Sequence, residues 1–128
     1  MKKLLLVEDD NDIRHIYIQT FKASGYDVDF AVDGAEALDK VKEQQFDLIL
    51  LDVILPKING IDVLKQCRVD FSTAKSTPIF LLTNMGQQDI LNQAKRLGVN
   101  GYFIKAMYRP SDLVEKVDEY FQKESLHV

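Results

Sequence analysis

The run Leu48-Ile49-Leu50-Leu51, entered through Phe46-Asp47 and stopped by Asp52, constrains this chain more than any other stretch. It is too short for a helix and reads as a strand apolar on both faces. Such a strand belongs inside a parallel sheet covered by helices on both sides, and in that architecture ligands bind beyond the carboxyl ends of the strands. Asp52 stands at that end. An aspartate there often does no more than open a turn. The functional reading is preferred because other strands bring matching chemistry to the same edge.

The remaining segments alternate in the way such a sheet requires. Lys3 to Val7 is a short apolar strand that runs into Glu8-Asp9-Asp10-Asn11-Asp12, where Asp10 or Asn11 can cap a helix. Ile13, Ile16, Tyr17, Thr20 and Phe21 then recur at helical spacing until Ser24-Gly25. Tyr26 to Ala31 alternates, with Tyr26, Val28 and Phe30 on the apolar side of an outer strand. Asp33-Gly34 starts a second helix whose apolar face is Ala37, Leu38 and Val41, and a third runs from Ile61 to about Val69. Pro78 to Leu82 predicts a fourth strand, Gly86 to Leu97 a fourth helix, and Tyr102-Phe103-Ile104 a fifth strand ending on Lys105. Pro110 suits the first turn of a last helix carrying Leu113, Val114, Val117, Tyr120 and Phe121. The expected fold is α/β, a doubly wound parallel sheet of five strands with five helices, built as one domain over residues 1–124 with a tail at 125–128.

Composition narrows the functional classes. No segment reaches membrane-spanning length and the N-terminus has no signal-peptide pattern, which predicts a cytoplasmic protein. The single Cys67 excludes an internal disulfide and falls on the apolar side of the third helix, as a small buried hydrophobe would. A net charge of −4 argues against a direct nucleic-acid surface. His15 and His127 read as solvated side chains rather than ligands.

Right-handed crossovers put all the strand ends on one edge, so Glu8 and Asp9, Asp52, Thr83 and Lys105 converge. Three carboxylates gathered there repel one another unless a cation intervenes, and an incomplete oxygen cage suits magnesium, which keeps waters and takes phosphate oxygens. Lys105 and Thr83 supply a charge and a hydroxyl for a transferring phosphoryl group, and Asp52 is the plausible nucleophile.

The ordered set Val7-Glu8-Asp9, Leu50-Leu51-Asp52 followed by Pro56 and Gly60, Leu82-Thr83, and Tyr102-Phe103-Ile104-Lys105 resembles the receiver domain of bacterial two-component response regulators. The resemblance covers nearly the whole chain and implies a flavodoxin-like (βα)5 fold. It implies that Asp52 accepts a phosphoryl group from a phosphohistidine of a sensor histidine kinase or phosphotransfer protein. Mg2+ would be held by Glu8, Asp9, Asp52 and the backbone carbonyl of Ile54. Thr83 and Lys105 would engage the acyl phosphate, and Tyr102 would be the aromatic switch following Thr83. The output would be a changed surface on helix 4, strand 5 and helix 5, binding a downstream partner or a second copy. No metabolic enzyme activity is implied beyond self-phosphorylation and slow self-dephosphorylation.

The sequence departs from the family pattern where Ala106 rather than proline follows Lys105, which predicts a trans bond, and where Asn84 replaces a small residue. Asp10 adds a third acid, expected outside the metal's ligands. Ile54 and Met85 leave the path of an attacking water apolar, which predicts a long-lived phosphorylated form. The rival readings are a phosphohydrolase, a phosphorylation-independent interaction module and a nucleotide binder. The first lacks an acid two residues after Asp52, the second leaves the intact Asp52, Thr83 and Lys105 unexplained, and the third lacks a glycine-rich loop after the first strand. No output segment follows Val128, so the domain is expected to act through a partner or to belong to a longer chain.

Overall fold

In a computed structural model, residues 1–69, 74–84 and 88–126 are described. Strands β1 (Lys3–Val7), β2 (Asp27–Ala31), β3 (Leu48–Asp52), β4 (Ile79–Thr83) and β5 (Gly101–Ile104) alternate with helices α1 (Asn11–Ala23), α2 (Gly34–Glu43), α3 (Gly60–Val69), α4 (Gln88–Arg96) and α5 (Pro110–Leu126). All neighbouring strands are parallel, in the order β2-β1-β3-β4-β5. The winding reverses between β1 and β3, which opens a crevice at their carboxyl ends.

Strand alternation divides the core into two layers. Leu4, Leu6, Leu48, Leu50, Phe80 and Leu82 point to α1 and α5, where Tyr17, Phe21, Leu113, Val114 and Val117 cover them. Leu5, Val7, Ile49, Leu51, Ile79 and Leu81 point to α2, α3 and α4, where Ala37, Leu38, Val41, Val63, Leu64, Cys67 and Ala94 cover them. The whole of β3 is buried, as its unbroken apolar run requires. Truncating one of these leucines to alanine costs about 2–5 kcal/mol.

Helix starts are set by short polar side chains. Asp10 accepts the Ile13 amide at 2.9 Å and Asp33 the Glu36 amide at 2.8 Å, satisfying donors that the first turn leaves unpaired. The Asp33 bond to that amide holds its carboxyl below the usual range, against slight desolvation and helped by Lys57 at 3.4 Å. At the far end of the sheet, Arg68 donates to the carbonyls of Ala74, Thr77 and Gly98 and to Asn100 Oδ1, at 2.7–3.1 Å. One guanidinium thereby serves the turns that feed β4 and β5.

Several local expectations are corrected. Phe30 is 39% exposed, although Ala31 after it is fully buried on the other face, because cover is lost only on the face of the outer strand that carries Phe30. Arg14 and Lys40 lie over its ring instead, 5.4 and 5.0 Å from the centroid. Ile16 is also largely exposed, so the buried stripe of α1 is carried by Tyr17 and Phe21. Strand β5 ends at Ile104, and Lys105 opens a 3-10 turn, Lys105–Met107. The expected tail begins at Ser125, whereas α5 runs on to Leu126. The start of helix 4 at Gly86, together with Met85 and His127, lies outside the described residues. Cys67 is fully buried, and desolvation pushes its thiol up to about 11; His15 is exposed.

Candidate functional site

The carboxyl edge gathers the expected groups because the strands stop there in register. Leu51 lies opposite Val7, so Glu8 and Asp9 emerge from β1 beside Asp52 at the end of β3. One carboxylate oxygen from each of Glu8, Asp9 and Asp52 falls within a cluster no wider than 4.8 Å. Glu8 is 1% and Asp52 6% exposed, whereas Asp9 faces solvent. Oxygens on opposite sides of an octahedral magnesium ion lie about 4.2 Å apart, so small side-chain shifts close this set on the ion. An all-carboxylate donor set with one open, solvated side fits a hard cation that retains waters.

Lys105 stands on the inner side of the cluster. Its Nζ lies 2.5 Å from Glu8 Oε2 and 2.8 Å from Asp52 Oδ2, with the three side chains nearly enclosed. The cation that the repelling carboxylates require is therefore partly supplied by the chain itself, though one ammonium faces three acids. Burial drives the Glu8 carboxyl up to about 7, while Lys105 holds it down and Asp52 adds to the rise. Burial disfavours the Lys105 ammonium, but hydrogen bonds to Asp52 and Glu8 outweigh that and keep its pKa above the ordinary lysine value.

Asp52 is fixed from its own loop as well. Its Oδ1 accepts the Ile54 amide at 3.2 Å. Ile54 itself is 72% exposed. The loop then doubles back so that Gly60 donates to the Val53 carbonyl at 2.8 Å. A Cβ on Gly60 would sit 2.2 Å from the Asp52 carbonyl oxygen. Gly60→Ala must therefore displace the backbone under the acceptor, and a loss of about 1–3 kcal/mol in urea unfolding is expected. A Cβ on Gly34 would meet the Ile58 carbonyl at 1.9 Å, so the same loop is seated against the start of α2.

Thr83 ends β4, one strand over from Asp52, and is half-buried. It shares a sheet face with Tyr102 on the neighbouring strand, whose register partner is Leu81, and Tyr102 is 41% exposed. The Lys105–Ala106 bond is trans, as every described peptide bond is. Asn84 is exposed and lines a groove of about 300 Å³ with Ile13, Ile16, Tyr17, Lys105 and Pro110. Asp10 serves as the α1 cap. Sequence reasoning missed Arg14, which donates to the carbonyls of Glu8 and Asp9. Its position one helical turn after the acid pair was the available signal.

This constellation agrees with the comparison to known families, in which the response regulator receiver domain profile matches residues 4–118. The chain belongs to the response regulator receiver domain family. Receiver domains are phospho-accepting signalling domains of two-component systems. This one is 32% identical to the chemotaxis protein CheY-3 of Vibrio cholerae, over 94% of its own length and 92% of that protein's. It is 33% identical to the transcriptional regulatory protein ResD of Bacillus subtilis, over 96% of the chain but 49% of ResD. The chain thus spans nearly all of one relative and about half of the other. Among solved structures, it matches the receiver domain of the sensor histidine kinase PA1611 from Pseudomonas aeruginosa PAO1, whose active-site cleft coordinates a magnesium ion. That match has a TM-score of 0.82 and 25% identity, covering 92% of this chain and 95% of the other. Among the described residues of this receiver domain, no helix is long and apolar enough to cross a membrane.

Proposed function

We propose that Asp52 is the phospho-acceptor of this receiver domain and that Glu8, Asp9, Asp52 and the Ile54 carbonyl hold Mg2+. The observation that carries the reading is the enclosed Glu8–Lys105–Asp52 contact beside a solvated third carboxylate. An Asp52 carboxylate oxygen attacks the phosphorus of a phosphohistidine. The new O–P bond forms as the P–N bond breaks, and the electron pair leaves on the imidazole, which takes a proton from water. Mg2+, when bound, supplies positive charge against the oxygens of the incoming phosphoryl group. Lys105, already 2.8 Å from Asp52, is placed to follow a phosphoryl oxygen, and Thr83 offers a hydroxyl from the adjacent strand end.

The donor is a phosphohistidine on a sensor histidine kinase or phosphotransfer protein, admitted on the solvated side of the cluster. The output is the face formed by α4, β5 and α5, reached through Thr83 and Tyr102 on their shared side of the sheet. That face takes a downstream protein or a second copy, and no nucleic acid. The domain works in the cytoplasm as a signalling module and carries no metabolic activity of its own.

The test is incubation with Mg2+ and acetyl phosphate followed by intact-mass and peptide mapping. One phosphoryl group, base-labile and located on Asp52, is expected. Continuous turnover of donor would mark a phosphohydrolase, and no incorporation would mark an interaction module. The exposed Ile54 side chain offers no hydrogen bond to a water approaching the acyl phosphate. Ile54→Asn is expected to shorten the lifetime of the phosphorylated form several-fold, measured as phosphoryl loss from purified protein at fixed Mg2+.

A further inference from the structure

Asp9 lies beyond the end of β1, and its side chain is exposed. A metal-binding carboxylate in that setting needs its backbone held where the ladder between β1 and β2 ends. Contacts from two sides do this. The Glu8 amide still donates to the Ala31 carbonyl at 3.1 Å, as though β1 continued for one residue. From the other side, Arg14 Nη1 donates to the Glu8 carbonyl at 2.9 Å and reaches the Asp9 carbonyl at 3.4 Å. Those two carbonyls belong to the two peptide planes that flank the Asp9 Cα. Their orientation sets the direction of the Asp9 Cα–Cβ bond, and so where its carboxylate can reach.

Arg14 is itself held. Its Nη2 donates to Asn11 Oδ1, and its guanidinium lies over the Phe30 ring at 5.4 Å. The second cation near that ring, Lys40, is anchored by Asp29 at 2.8 Å and by the Phe30 carbonyl. A half-exposed phenylalanine at the end of an outer strand thus has a use: it is the platform on which a planar guanidinium lies.

We infer that Arg14, braced by Phe30, is a positioning residue that aims Asp9 into the metal site. The inference rests on the proposed Mg2+ role of Glu8, Asp9 and Asp52 and names a support for it. A plain electrostatic role predicts the opposite sign, since a cation beside the acid cluster opposes Mg2+ and its removal should tighten binding. Loss of the outer contacts around a metal ligand typically weakens affinity 10–100-fold.

The experiment is calorimetric titration of Mg2+ into metal-stripped protein, with melting in EDTA as the check on folding. Arg14→Lys keeps the charge but loses the second nitrogen that holds Asn11 and the planar group over Phe30, and Arg14→Met loses the charge as well. Each is expected to raise the Mg2+ dissociation constant about ten-fold, with Phe30→Leu moving it the same way by less, and with melting in EDTA close to wild type. Unchanged or tighter Mg2+ binding by Arg14→Met would overturn the inference. A variant that loses Mg2+ affinity only in proportion to a lost melting temperature would overturn it too. Asp9→Ala separates the two levels. If the wild type binds Mg2+ and Asp9→Ala does not, the metal reading stands whatever Arg14 does, whereas a wild type that gives no Mg2+ binding removes the metal reading itself.

Discussion

Asp52→Asn is expected to take up no phosphoryl group from acetyl phosphate while melting at or above the wild-type temperature. The loss follows from chemistry, because a carboxamide is nearly isosteric with the carboxylate but is not a competent nucleophile toward phosphorus. The retained stability follows from the contacts. Asp52 shares Lys105 with Glu8, so the ammonium keeps a carboxyl partner in the variant, and one whose ionisation is favoured once the Asp52 charge is gone. The amide oxygen can stay on Lys105, which leaves only the longer Ile54 amide bond, at 3.2 Å, to be given up. Against that modest loss stands the removal of one of three crowded negative charges, including the one that helps push the Glu8 carboxyl upward. The variant should also gain less melting temperature from Mg2+ than the wild type does. Mass spectrometry and thermal melting decide both parts. Undiminished labelling would move the acceptor elsewhere, and a collapse in melting temperature would make Asp52 chiefly a structural partner of Lys105.

The groups of this site were legible because each ends an apolar run. Burial on both faces makes β3 an uninterrupted hydrophobic string, so the first polar residue after it, Asp52, marks the strand end without ambiguity. The same logic placed Glu8 and Thr83. It failed where burial is uneven. Alternation in β2 put Phe30 with Val28, but alternation reports which face a residue takes and says nothing of whether a helix covers that end of the strand. The long-range contacts were out of reach for a related reason. Lys105 and Glu8 are far apart in sequence, and their contact depends on how far a flexible side chain extends back over the sheet edge. Arg14 looks like one more charge on the outer face of an amphipathic helix until its Nη1 is seen on two carbonyls and its Nη2 on Asn11. Periodicity locates elements and their ends, whereas the orientation of long polar side chains is decided by what surrounds them.

Lys105→Met should be the most destabilising single change at the site, by about 3–5 kcal/mol in metal-free protein, because it strands buried charge that had a partner. Glu8 and Asp52 would then face each other across an apolar side chain, with no cation on the inner side of the cluster. Two changes should recover much of the loss. Asp52→Asn in the same chain removes one of the stranded charges, so the double variant is expected to be more stable than Lys105→Met alone, a coupling of the sign that contacting residues show. Saturating Mg2+ should raise the melting temperature of Lys105→Met more than that of the wild type, since the ion no longer competes with an ammonium for the same oxygens.

The loss should also depend on pH. The Glu8 carboxyl, at 4.5 in an ordinary setting, is driven by burial to about 7 in the folded chain. A raised carboxyl means the folded state binds the extra proton, so its contribution to stability is present at low pH and fades as pH rises through the folded value. Lys105 is one of the influences holding that value down, so without it the window extends upward. Urea unfolding in EDTA should therefore show a larger deficit for Lys105→Met at pH 8 than at pH 6. A deficit independent of pH, unrelieved by Asp52→Asn and by Mg2+, would mean that Lys105 contributes only the packing of its aliphatic stem.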